Sequence, residues 1–184
     1  MMRLFMRMPI TVVRILLLVL SILVVRPNVI IAQEEEKRPH IVLDVAKSVL
    51  FDPTTYVPAT LSYTSQRMDW NTSQVLFRAG WFEHNSRYTI SGRPDDKPIS
   101  YEAGNRQIRR AALLHLQESV VNNVAAQILE RALTQQHPEH RKLFKTLSWI
   151  ERISFSSYVG YLASVDHFRQ VQRNRELAQQ YGLK

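Results

Sequence analysis

Asp52–Asp96, DPTTYVPATLSYTSQRMDWNTSQVLFRAGWFEHNSRYTISGRPDD, is the stretch on which the fold turns. Its first part reads as one long helix. Aromatics recur every seven residues at Tyr56, Tyr63, Trp70 and Phe77, and a second apolar line runs through Leu61, Met68 and Val75. Helical residues advance by about 100° each, so the two lines fall on nearly opposite faces. A helix that is apolar on two faces packs between neighbours, which places this element at the centre of a bundle. Asp52 suits an N-cap and Pro53 a first helical position. Pro58 should kink the helix or delay its start. The helix is expected to run to Ala79, with Gly80 as its left-handed stop.

Working outward, regular signals fade from Trp81 to Ile99, where Ser91-Gly92, Arg93-Pro94 and Asp95-Asp96 form turns. Trp81, Phe82, Tyr88 and Ile90 are too apolar for a solvated linker, so the loop is expected to be ordered and pinned back on the bundle. A long helix follows from Tyr101 or Asn105 to Gln136, with Ile108, Ala112, Leu116, Val120, Val124, Ile128 and Ala132 as its apolar series. Leu113, Leu114, Val121, Ala125 and Leu129 widen that stripe. The last helix begins near Pro138 and runs towards Tyr181, with Gly160 as a point of possible breakage. Leu143, Phe144, Leu147, Ile150 and Ile153 make its first half apolar; Arg169 to Gln180 reads as a polar end projecting into solvent. Ser156, Gly160 and Ser164, spaced by four, are a helix-packing face that lets two backbones approach closely. On the other side of the central helix, Ile41 to Phe51 forms a short helix. The expected class is all-α, a bundle of about four helices with one long ordered loop, in a single domain over residues 40–184.

The first 32 residues have a different character. Arg3, Arg7 and Arg14 precede the apolar run Ile15 to Val25, and Ala32 offers a cleavage position. That is the shape of an export signal. The alternative is an uncleaved anchor in the inner membrane over residues 9–32, long enough for about 30 Å of hydrocarbon. Either delivers the rest of the chain across the membrane, to the periplasm or beyond. Residues 33–39 form a charged linker. The formal charge of the 184-residue chain is +8, from 24 basic and 16 acidic residues. Taking away Arg3, Arg7, Arg14 and Arg26 leaves 20 against 16, a net of +4. Such a balance, with acids interspersed, is not the basic stripe that nucleic acid requires, and a nucleic-acid partner is set aside. With no cysteine, there is neither a disulfide framework nor a lipoprotein attachment.

The densest polar group is the corner Asp69, Thr72, Glu83, His84 and Asn85, with Asn71 and Ser73 beside it. A carboxylate and an imidazole are the minimum for acid–base work or a metal pair. Glu83 and His84 are adjacent, however, and on any regular element they point apart. Arginines such as Arg67, Arg78 or Arg87 are the expected partners of Asp69 and Glu83, fixing the corner. His115 and Glu118 sit one turn apart, but a di-iron bundle needs two Glu-x-x-His copies. His137 and His140 flank a turn without further ligands at zinc spacing. Glu130-Arg131 and Glu151-Arg152 are expected to pair across the last two helices. Neither a nucleophile elbow nor a phosphate loop is present. No metal and no cofactor are expected.

The run Asp69-Trp-Asn-Thr-Ser-Gln followed by Gly80-Trp-Phe-Glu83-His-Asn85 resembles a pattern in small bacterial membrane or exported helical proteins. There an Asp and a Thr on one helix precede a Gly-x-x-Glu-x-Asn-Pro turn; Ser86 stands at the proline position here. The resemblance spans about seventeen residues and implies that the corner is one unit. It implies no activity. The leading expectation is therefore a non-enzymatic, exported helical protein, a binding or structural component of the bacterial cell envelope whose partners are envelope proteins or the membrane surface. Two alternatives stand beside it. One is a metal-dependent or acid–base enzyme centred on Glu83, His84 and His115; the other is an apolar-ligand or lipid carrier lined by the aromatic stripe.

Overall fold

The computed structural model describes residues 41–183. The expected export or anchor segment at 1–32 and the linker at 33–39 lie outside them. The described chain is all-helical, with α1 (Ile41–Leu50), α2 (Val57–Arg78), α3 (Tyr101–Gln136) and α4 (Arg141–Gln180). Single 3₁₀ turns at Pro53–Thr55, Ser86–Tyr88 and Pro138–His140 join them.

Local chemistry sets the boundaries. The Asp52 carboxylate accepts from the Thr54 amide at 3.0 Å and the Thr54 hydroxyl at 2.7 Å, and Pro53 opens the 3₁₀ turn. Pro58 occupies the second position of α2, where its missing amide hydrogen has no helical partner to lose, so it delays the helix and does not kink it. At the other end Gly80 takes φ +90°, and the Trp81 amide reaches back to the Leu76 carbonyl at 3.1 Å. Ser100 caps α3 by accepting from the Ala103 amide at 3.2 Å. At a rise of 1.5 Å per residue, α3 and α4 are roughly 54 and 60 Å long.

α2 lies along both long helices, antiparallel to α3 and parallel to α4. Arg67 and Trp70 meet Asn105 and Tyr101 of α3, while Thr54 and Thr55 meet Asn123 further along it. Asp52 meets Arg152 of α4 and Asp69 meets His167. α1 packs on α3 through the buried Val45 and Val49.

The seams depart from the sequence expectation. One apolar cluster, Trp70, Tyr88 and Ile108 with Phe77 and Ile99 against it, closes the loop end of the bundle. Elsewhere the contact lines are small or polar: Ser62, Ser65 and Gln66 of α2, Ser119 and Asn123 of α3, and Ser148, Arg152, Ser156, Gly160 and Ser164 of α4. Part of the series expected to form the core instead faces outward, with Leu113, Leu114, Val121 and Ile128 of α3 and Leu143, Leu147 and Ile150 of α4 exposed, while Ile108 is buried and Leu116, Val120, Val124, Phe144 and Ile153 are half-buried. The reason is steric. A line of small residues every four positions lets two backbones come close, as at Gly160, where an added Cβ would stand 2.9 Å from Leu61 Cδ1. Gly160 therefore marks a helix crossing, and α4 runs through it unbroken.

The aromatic line of α2 is divided for a related reason. Seven residues fall about 20° short of two turns, so the line drifts across the helix. Tyr56 and Tyr63 remain about 40% exposed, outside the seam, whereas Trp70 has entered it at 3%. The polar seams are well satisfied. Arg152 Nε donates to Asp52 at 2.8 Å and its Nη1 to Ser148 at 2.5 Å, with Glu130 at 3.8 Å. Glu151, expected to pair with an arginine, accepts from Asn122 at 3.4 Å. Among the described residues, Thr134 Oγ1 is the one buried side-chain polar atom without a partner.

Candidate functional site

The polar corner forms where α2, the 81–99 loop and the second half of α4 converge. On α2, Gln66, Asp69 and Ser73 recur at helical spacing on one face, with Thr72 next to them. On α4, His167, Gln170 and Asn174 do the same and lie opposite. Asp69 Oδ2 and His167 Nδ1 are 2.7 Å apart, and Asn174 Nδ2 donates to Asp69 Oδ1 at 3.2 Å, Thr72 at 3.2 Å and Ser73 at 2.8 Å. Gln170 in turn donates to Asn174 Oδ1 at 2.9 Å. Asp69 thus has both oxygens engaged by α4. The arginines expected there serve elsewhere: Arg67 donates to Asn105 and lies over the Tyr101 ring.

The expectation that Arg169 to Gln180 projects into solvent is corrected by the same network. Val171 and Asn174 are buried at 3% and 2%, because a polar stripe repeating every three or four residues on α4 meets the polar face of α2. His167, Gln170 and Asn174 were the residues missed. Their spacing on one helical face was the available signal.

The loop adds the third wall. Its backbone is held by antiparallel bridges Glu83–Asp96 and Thr89–Pro98. Tyr88 is buried and donates to Gln66 Oε1 at 3.0 Å; burial pushes its phenol up to about 12. Trp81 and Phe82, expected to pin the loop, stay exposed at 37% and 56%. Trp81 packs against Tyr181 in a T-shaped arrangement, 5.5 Å between centroids. Of the three, Tyr88 is the one that is buried. A glutamate oxygen of Glu83 accepts the Asn85 amide at 2.7 Å, and the Asn85 side chain caps the following 3₁₀ turn. Burial holds the Glu83 carboxyl above its usual 4.5, with a further push from the Asp69 charge.

Between the three walls lies a cavity of about 360 Å³. Asp69, Glu83, His84 and Asn85 line it; Thr72 stands behind Asp69 through Asn174. His84 is at the rim, with its side chain 85% exposed and paired with Asp95. His115 does not reach the cavity. It lies on α3, paired with Glu118 at 3.0 Å. The aromatic line does not enclose a pocket either: Trp70 and Phe77 form part of this wall, but Tyr56 and Tyr63 face outward. Ser156, Gly160 and Ser164 sit on the α4 seam, away from the cavity, against the start of α2. His137 and His140 flank Glu139 at 3.5 and 3.7 Å, beside Phe144. Among the described residues, no three His, Cys, Asp or Glu side chains are grouped to hold a metal. Comparisons with known protein families, with curated proteins and with solved structures each find no match.

Proposed function

We propose that the protein is a non-enzymatic helical component of the cell envelope, exported by its N-terminal segment, whose bundle lies immersed in the interfacial layer of a lipid bilayer. One observation carries this reading: the bundle is partitioned the wrong way for water. Small and polar residues fill its seams, while Leu113, Leu114, Val121, Leu147, Ile150 and Tyr161 stand outside. Serine and glycine seams hold helices together by close approach and hydrogen bonding, which suits an apolar surrounding.

Part of this exposed apolar surface, Val121, Tyr158, Tyr161 and Leu162 included, falls within an uncharged belt. Residues 53–66 before and within α2, 119–129 of α3 and 153–165 of α4 carry no charged side chain. These three stretches stand at one level, since Thr55 meets Asn123 and Gly160 meets Pro58. On the loop side Glu118 and Asp166 border the belt, and Arg106, Arg109 and Arg110 on α3 and Arg169 on α4 stand beyond them, where they can reach lipid phosphates. Apolar groups are exposed on α1, α3 and α4 together, and a fluid phase covers such a spread better than one folded partner does. Among the described residues no helix is long and apolar enough to cross a membrane. An interfacial position asks for no crossing.

The chain has no cysteine, so single ones can report. An environment-sensitive dye on Val121→Cys or Leu162→Cys should shift to the blue when anionic vesicles are added, and on Gln172→Cys it should not. A belt shift that tracks protein concentration without vesicles would assign the face to a second copy and sink the proposal.

A further inference from the structure

The cavity between α2, the 81–99 loop and α4 has features that the bilayer reading does not use. Two of its aromatics, Trp81 and Phe82, keep much of their surface exposed beside a carboxylate that is itself half withdrawn from water. Packing on Tyr181 accounts for part of Trp81 but not for Phe82, and Tyr88 already secures the loop. The acid is held in place: the Glu83 amide donates to the Asp96 carbonyl at 2.8 Å, the Asp96 amide returns to Glu83 at 3.2 Å, and the Asn85 amide takes one carboxylate oxygen. Among the described residues, no basic side chain forms an ion pair with Glu83, while His167 is engaged by Asp69 and His84 by Asp95. Three carboxylates, Asp69, Glu83 and Asp166, line the cavity against one arginine, Arg173.

We infer that this cavity is a binding site for an organic ammonium group, which Glu83 pairs with while Trp81 and Phe82 present their ring faces. A carboxylate with adjacent aromatic rings in a partly dry pocket recognises a cation twice, by charge-assisted hydrogen bonding or ion pairing and by the ring quadrupole. The withdrawal of Glu83 from water strengthens both, since a cation brought to it restores what burial removed. Asp69 is a positioning residue: with both oxygens engaged by α4, it fixes the wall and adds negative potential. The cavity's volume, about 360 Å³, suits a small amine or a headgroup. The ligand can be a free amine or the ammonium headgroup of a phospholipid. The cavity lies beyond the uncharged belt, at the end bordered by Arg106 and Arg169, which is headgroup level if the bundle lies in a bilayer.

The test uses the full chain with Trp149→Phe, so that tryptophan fluorescence reports on the two tryptophans lining the cavity, Trp70 and Trp81. Benzylammonium and benzyltrimethylammonium should each perturb the signal saturably, and benzoate should not. Glu83→Gln should weaken both cations by about tenfold or more while leaving helical content unchanged. Phe82→Ala should weaken the quaternary cation more than the primary one, because the quaternary group depends on ring faces alone. Vesicles of phosphatidylethanolamine displacing the probe, with phosphatidylglycerol vesicles inert, would identify the headgroup as the source. Displacement by soluble ethanolamine alone would identify a free amine. Benzoate binding as tightly as benzylammonium, cation binding indifferent to Glu83→Gln, or no saturable cation binding would each overturn the inference. The dye experiment on the belt is independent of all three.

Discussion

Gly104 and Gly160 are both helical glycines at contacts with α2, and the same substitution should act differently at each. A Cβ added at Gly104 would lie 2.3, 2.4 and 2.6 Å from three atoms of the Trp70 ring. That ring cannot give way freely. It is 3% exposed, its Nε1 donates to the Tyr101 carbonyl at 3.1 Å, and Tyr88 and Phe77 stand 5.2 and 5.6 Å from it. Forcing it aside costs about 1–3 kcal/mol in overpacking, and losing the indole hydrogen bond costs about 1 kcal/mol more. Replacing glycine by alanine in a helix returns roughly 0.5–1 kcal/mol. Gly104→Ala should therefore be destabilising by about 2 kcal/mol. At Gly160 the tight contact is one rotatable methyl, Leu61 Cδ1 at 2.9 Å, and Pro58 Cα at 3.7 Å is ordinary. There the helical gain and the adjustment nearly cancel, and Gly160→Ala should fall within about 1 kcal/mol of the parent. Urea unfolding followed by far-ultraviolet circular dichroism measures both. In a Trp70→Leu background the Gly104→Ala penalty should shrink by more than about 1 kcal/mol, because the two residues share one contact. Gly104→Ala as stable as the parent would refute the packing described for this end.

Three further outcomes follow from the polar seams. Asn174→Leu removes the amide that ties Asp69, Thr72 and Ser73 to α4, and should be destabilising by about 2–3 kcal/mol in urea titration, since Asp69 and Ser73 lose a buried partner. Arg152→Met leaves Asp52 and Glu130 without their guanidinium and should cost about 3 kcal/mol, with Arg152→Met/Asp52→Asn recovering part of it; equal losses in single and double variants would contradict the pairing. Glu83 is held above its usual 4.5, so over a window starting there the folded chain keeps a proton that the unfolded chain has lost, and its contribution to stability falls as pH rises. Glu83→Gln should flatten that fall and be at least as stable as the parent at neutral pH, whereas a variant less stable there would reverse the assigned sign. Glu151, also raised by burial, contributes in the same direction and should remain in the residual slope.

Helix boundaries were legible in the sequence because they depend on neighbours along the chain. Asp52 with Pro53 and Gly80 each act within a few residues, and α2 was placed correctly between two partners. Of the seams, the sequence marked the Ser156, Gly160 and Ser164 face but not the rest, and the reason is physical. Apolar periodicity marks a face without saying what covers it, and α4 carries two faces of comparable regularity. The line of Leu143, Leu147 and Ile150 is the greasier one; Ser148, Arg152, Ser156, Gly160 and Ser164 form the tighter one. Close packing selected the second. The polar corner was located through Asp69, Thr72, Glu83 and Asn85, but its partners on α4 lie about a hundred residues away, and no local signal pairs Asp69 with His167.

The distribution of apolar contacts bears on how the bundle is held. Buried serine and glycine remove little apolar surface from water, and hydrophobic burial scales with that area. Among the described residues, the cluster with substantial apolar burial, Trp70, Tyr88 and Ile108, sits at the loop end, and Val45 with Val49 forms a small second site on α1. Between them the helices meet through Ser62, Ser65, Ser119, Ser156 and Gly160, where contact gives dispersion and hydrogen bonds but little release of water. The middle of the bundle is therefore the part that gains most from an apolar surrounding: there the outer leucines are no longer in water and the inner hydrogen bonds have no competing solvent. The cavity end needs no such help, since Trp70 and Tyr88 anchor it. A rigid polar cavity at one end and an uncharged belt beside it are consequences of the same choice of seam residues.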